Sequence, residues 1–206
     1  MSGVTRLCSN LLGAAALVMS TGAHPATALS GMDIDALTIE LFDLDPMDGI
    51  APLFDTGQVI EFSDLQGGGQ NGPYTEEPLA PPFDNPGLRI TTYPGGSWDN
   101  GRDTQLSNIT LSPMTTVTFS MLAKVGASVS YAGEYAAASI SMHAFGAGLP
   151  EIPRDQVDIV ATEPGPLKEI VRTLTVQIVN ATRSALSVGY GYAISAFAMS
   201  PTCRVG

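Results

Sequence analysis

Val117-Thr-Phe-Ser-Met-Leu-Ala-Lys-Val-Gly-Ala-Ser-Val-Ser-Tyr131 decides the class of this chain. Every odd-numbered residue in it is apolar: Val117, Phe119, Met121, Ala123, Val125, Ala127, Val129 and Tyr131. The even positions hold Thr118, Ser120, Lys124, Gly126, Ser128 and Ser130, with Leu122 the one exception. A β-strand sends alternate side chains to opposite faces, whereas a helix would scatter the same residues around its axis. The stretch therefore reads as one long strand with a core side and a wet side.

The same period recurs on both sides of it. Leu37, Ile39 and Leu41 share a face in the stretch from Asp35 to Leu41, and Gln58 to Phe62 is a shorter candidate. Leu106 to Leu111 leads through the turn Ser112-Pro113 into the long strand. From Glu134 to Ala144, Ala136, Ala138, Ile140 and Met142 lie on one face, with Ser139, Ser141 and His143 on the other. Ile170, Leu174, Val176 and Ile178 are in phase, with Arg172 the exception. Leu186, Val188, Tyr190, Tyr192, Ile194, Ala196 and Ala198 are in phase to Met199. Residues 63–87, 94–101 and 146–167 are rich in Gly and Pro and read as loops, with Leu88 to Thr92 an edge strand and Gln156 to Ala161 a short strand. No stretch after the leader has the period of an amphipathic helix.

Half-polar strands, Gly/Pro turns and no helix predict an all-β fold: a single antiparallel β-sandwich of Ig-like or jelly-roll type over about residues 33–199. Its expected core is Val117, Phe119, Met121, Val125, Val129, Leu174, Val176, Ile178, Val188, Tyr190 and Ile194, because a one-residue slip would turn each apolar set into water. A small outer-membrane β-barrel is the competing architecture. It calls for eight or more similar strands, aromatic girdles and a strand closing at the terminus. Here aromatics are sparse, the loops are proline-rich, and residues 200–206 read as a C-terminal tail.

The N-terminus reads as a secretory leader. Arg6 supplies the positive start, Leu11 to Met19 the apolar run, and Ala26-Thr27-Ala28 the small residues a signal peptidase needs. Residues 1–28 are thus expected to be a signal peptide, with the sandwich domain at 29–199. An apolar run of about nine residues is short of the roughly 20 that span a bilayer, so no transmembrane anchor is expected in the mature chain. Removing residues 1–28 takes away Arg6 and no acidic residue, leaving 20 acidic against 8 basic residues and a formal charge of −12. That balance excludes a basic footprint for nucleic acid and opposes docking on anionic lipid. Cys203 is the one cysteine left, so the core rather than a disulfide must hold the domain.

Two clusters are candidate sites. Asp43, Asp45 and Asp48 fall just after the first strand, with Gly49 behind them. Oxygen-rich loops of this kind bind hard cations, so calcium is the cofactor expected here if any is bound. The third carboxylate comes one residue late for an Asp-x-Asp-x-Asp-Gly loop, and Asp45-Pro46-Met47-Asp48-Gly49 reads first as a β-turn. Trp98, Asp99, Asn100 and Asp103 place the sole tryptophan beside carboxylates and an amide, a combination that can hold a sugar ring; Asn100-Gly101 is also a turn signal. Catalysis finds little footing. His143 is the one histidine beyond residue 28 and sits on a polar strand face, and no Gly-x-Ser-x-Gly, phosphate loop or His/Cys metal cluster is present.

Leu41-Phe-Asp-Leu-Asp-Pro-Met-Asp-Gly-Ile-Ala-Pro52, Leu111-Ser-Pro-Met-Thr-Thr-Val-Thr-Phe119 and Gly133-Glu-Tyr-Ala-Ala-Ala-Ser139 resemble, in this order, a group of exported β-rich proteins. These come from Gram-negative bacteria with PEP-CTERM (exosortase) sorting systems. The resemblance implies export and an association with the cell surface and exopolysaccharide, and it brings no catalytic residues. The sorting tail itself is absent from this sequence. The expectation is a non-enzymatic structural or adhesive protein of the cell surface or extracellular matrix, with the periplasm as the alternative location. Its expected partners are exopolysaccharide or a second copy, the latter through the small-residue faces from Ala136 to Ser141 and at Ser187, Gly189 and Gly191. The alternative from another class is a carbohydrate-binding module.

Overall fold

The computed structural model describes residues 25–55, 59–65, 72–84, 87–146, 148–149 and 151–201, and at 34, 59–65 and 102–108 the backbone alone. All its elements are strands: β1 (Ala26–Asp43), β2 (Phe54–Asp55), β3 (Val59–Leu65), β4 (Tyr74–Glu77), β5 (Gly87–Thr92), β6 (Gly96–Leu111), β7 (Thr115–Ser128), β8 (Tyr135–Phe145), β9 (Arg154–Ala161), β10 (Lys168–Asn180) and β11 (Leu186–Ser200). They form two antiparallel sheets. One has the order β10-β7-β1-β5-β4; the other has the order β2-β6-β11-β8-β9, with β3 also paired to β6. The sheets do not close into a barrel. They pack face to face as a sandwich, the architecture the alternation predicts.

All eleven expected core residues are buried. The phase of the long strand explains this. Val117, Phe119 and Met121 of β7 stand directly opposite Ile178, Val176 and Leu174 of β10, so both strands turn their apolar faces inward together. Phe119 stacks on Tyr190 from the opposite sheet with ring centroids 4.4 Å apart, and Phe54 meets the edge of Phe119 at 5.5 Å. Burying such a ring contributes about 2–3 kcal/mol. Ala136, Ala138, Ala144, Ala196 and Ala198 also face inward. The small residues of β8 and β11 thus serve first to fit the sheets closely together.

Four sequence readings need correction. The first strand begins at Ala26 rather than Asp35, and it lies between β5 and β7. In its second half Ile39 and Leu41 share a face, as the alternation implies, and point with the core phase yet remain 43% and 40% exposed. The register of β1 on β7 shifts between Asp33 and Thr38, where the Asp33 carboxylate accepts the Ala36 N–H at 3.1 Å, and β5 accompanies β1 only to Gly31. Next, β5 is not an edge strand. The expected loop 63–87 contains β4, which pairs with β5 and takes the edge. Finally, the expected loop 94–101 is the start of β6, and Asn100-Gly101 is mid-strand.

Both open seams between the sheets are latched by a carboxylate. At one, Glu76 of β4 accepts the Trp98 indole N–H at 2.9 Å and the Asn100 side-chain N–H at 3.0 and 2.9 Å, both from β6. At the other, Asp155 of β9 accepts the Thr175 backbone N–H of β10 at 2.9 Å and pairs with the Arg172 guanidinium. Arg172, the exception in the alternation, therefore reaches across to the other sheet. Burial pushes the Asp155 carboxyl up, but the hydrogen bonds from Thr175, Arg172 and Gln156 and the Arg172 charge outweigh it and hold it below the usual carboxylate range.

Candidate functional site

Neither candidate cluster is arranged as its residue types suggested. Trp98 is 8% exposed, and its ring stacks on Tyr74 at 4.6 Å with 16° between the planes. A ring covered on one face and buried in the seam offers no platform to a sugar. Asn100 is buried beside it, and its Nδ2 is committed to Glu76. The alternation of β6 explains the split: Trp98 and Asn100 face the core, while Asp99 points outward. The side chain of Asp103 lies outside the described residues; its backbone is paired with Ala193.

The aspartate turn is self-capped. Asp43 Oδ1 accepts the Asp45 N–H at 2.9 Å, Asp45 Oδ1 the Met47 N–H at 3.3 Å, and Asp48 Oδ1 the Ile50 N–H at 2.7 Å. Each carboxylate thus bonds to the backbone two residues on instead of converging with the others. Gly49 takes φ 71°, and the Asp48 N–H closes on the Asp45 carbonyl at 3.0 Å. Arg183 lines the adjoining depression together with Asp45 and Asp48. Among the described residues no group of three His, Cys, Asp or Glu side chains is placed to hold a metal ion.

The outer face of the six-stranded sheet is the better candidate. Cross-strand register sets its rows. Asp99 stands opposite Phe197 and Phe197 opposite Ala137; Gly101 opposite Ser195 and Ser195 opposite Ser139; Ala193 opposite Ser141. Small residues in the middle rows make a shallow depression of about 300 Å³ lined by Asp99, Gly101, Ser139, Ser141, Arg154, Ala193, Ile194 and Ser195. The Ser139 and Ser195 hydroxyls are 2.9 Å apart. Gly101 keeps the floor low, since a Cβ there would lie 2.9 Å from the Ile194 carbonyl oxygen. Rings flank the depression along the sheet: Tyr135 and Phe197 at 5.6 Å beyond one end, His143 and Phe145 at 6.0 Å beyond the other.

Burial pushes the Asp99 carboxyl above the usual carboxylate range. Its charge is therefore held in a partly desolvated place, where a ligand hydroxyl would be a welcome donor. Arg154 supplies donors, Asp99 acceptors, and the serines either. Ser139 and Ser141 were legible as a polar strand face. Ser195 and Arg154 were not, because only strand pairing brings them to the same place. His143, expected at the surface, is half-buried on this face. No protein-family model matches the chain, and no curated protein matches it.

Proposed function

We propose that this is an exported, non-enzymatic adhesive protein of the bacterial cell surface or extracellular matrix that holds exopolysaccharide on the outer face of its six-stranded sheet. The observation that carries the reading is the mixed, hydroxyl-rich depression around Asp99, Ser139, Ser195 and Arg154, open to solvent and flanked by rings. Sugar hydroxyls both donate and accept, and the C–H faces of a pyranose pack on aromatic carbon, so a shallow surface of this composition suits an extended chain of sugars. The buried or latching carboxylates Glu76, Glu134 and Asp155 are each engaged by structural donors. That leaves them poor candidates for acid–base chemistry, which needs a group within reach of a substrate proton. The leader and the resemblance to exported proteins support the location.

Affinity electrophoresis of the purified protein in gels containing neutral or acidic bacterial polysaccharides tests this. Retardation is expected, weakened about tenfold by Asp99→Ala and about fivefold by Ser139→Ala, in line with one charged and one neutral hydrogen bond. Migration unaffected by any polysaccharide would refute the reading. A second reading, self-association, is favoured by the apolar end of the molecule, where Phe42 is 66% and Met47 92% exposed and Leu53 and Ile50 lie nearby in sequence. Sedimentation of the purified protein as a dimer, abolished by Phe42→Ser, would move the proposal there.

A further inference from the structure

We propose that the leader is removed after Ala23, upstream of Pro25, and not after Ala28. The proposal rests on the export reading and adds the position of the processing site. Ala26, Thr27 and Ala28 are strand residues: Ala26 pairs with Thr92, Thr27 with Thr91 and Ser128, and Ala28 with Ile90 and Ala127. Ala26 and Ala28 are fully buried in the core. The Ser130 hydroxyl donates to the Pro25 carbonyl at 3.3 Å.

Cleavage after Ala28 would remove three of the six residues by which β1 holds β5. It would also make Leu29 the new terminus. Leu29 is fully buried, opposite Arg89 on one side and Gly126 on the other. An α-ammonium there would stand between β5 and β7 at the level of Arg89, a residue of like charge, and the emptied slot would open the apolar core behind Ala26 and Ala28 to water, which is costly. Small residues at the −3 and −1 positions are also met five residues upstream, by Thr21 and Ala23. Hydrolysis of the Ala23–His24 bond adds water across it, leaving the carboxylate on Ala23 and the new amine on His24. That product keeps Pro25 and the whole of β1.

The full chain is produced in a Gram-negative host, and the protein is recovered by cell fractionation for intact mass and N-terminal sequencing. The expected result is an exported protein beginning at His24, and a precursor retaining its leader when Ala23→Leu blocks the site. An exported protein beginning at Leu29, or an Ala23→Leu variant still cut there, would overturn the proposal while leaving export standing. Uncleaved wild type confined to the cytoplasm would instead overturn the export reading, and this proposal with it.

Discussion

Glu134 offers the most direct test of what holds the sandwich at one end. It is buried in the turn between β7 and β8, where its Oε2 accepts the N–H groups of Ser130 at 2.7 Å and Tyr131 at 2.9 Å. Its Oε1 accepts the Ser200 hydroxyl at 2.7 Å, tying the end of β11 to the same turn. Glu134→Ala leaves two backbone donors without an acceptor, each costing about 1–3 kcal/mol when buried. The Ser200 hydroxyl can rotate to another acceptor, and water can enter the vacated space, so the loss should be about 3 kcal/mol. Glu134→Gln keeps a carbonyl oxygen for the two N–H groups and turns its amide toward the Ser200 oxygen. Only the charge assistance goes, about 1 kcal/mol. Taking a urea slope of about 2 kcal/mol/M, the midpoint should fall by about 1.5 M for the alanine variant and about 0.5 M for the glutamine variant, with the slope unchanged. Equal losses for the two variants, or an alanine variant within 0.5 M (about 1 kcal/mol on the same slope) of the parent, would refute the assignment.

Two further outcomes follow from the latches and the core. Because the folded pKa of Asp155 lies below its unfolded value, the stability it contributes is present above about pH 4 and lost as pH falls through the folded value. Asp155→Asn should therefore lower the urea midpoint at pH 7 and flatten its fall between about pH 4 and pH 2; an unchanged acid limb would count against the seam latch. Burial, with Tyr192 nearby, raises the Tyr190 hydroxyl far above its ordinary value, and its Oη has no hydrogen-bond partner among the described residues. Tyr190→Phe should therefore raise the melting temperature by about 2–4 °C, and a fall by as much would mean that the hydroxyl is satisfied.

What was legible in the sequence is what a single strand encodes. The period of Val117 to Tyr131 settles which side chains turn inward, so the core of β7, β10 and β11 follows from it. Strand pairing is a different kind of information. Nothing local to Tyr74-Thr75-Glu76-Glu77, set among prolines and glycines, marks it as a strand; it becomes β4 because β5 offers an edge. The same holds for Trp98-Asp99-Asn100-Gly101, whose turn chemistry is overridden by pairing with β11 along its length. Trp98 was the natural candidate for a sugar platform, yet the carboxylate that draws it inward, Glu76, is 22 residues away. The roles of Glu134 and Arg172 were hidden for a related reason: Arg172 shows in the sequence only as a break in the alternation, and neither charge reveals its partner until another strand brings it, Asp155 of β9 for Arg172 and Ser200 of β11 for Glu134. The depression around Asp99 combines residues from β6, β8, β9 and β11, so no stretch of sequence contains it.

The place of β1 has a consequence for the order in which the molecule assembles. The first strand of the domain lies inside its sheet, and Thr27 must find Thr91 on one side and Ser128 on the other. The first partner lies 64 residues further along the chain and the second 101 residues further. Closing such long loops costs entropy before any contact repays it, so a topology of this kind folds slowly, on the scale of milliseconds to seconds. A chain threaded through a membrane amino end first would emerge with its founding strand solvated and waiting. For a chain exported as proposed, sluggish folding would be an asset, keeping the polypeptide loose enough to be translocated and committing it only once β7 has followed.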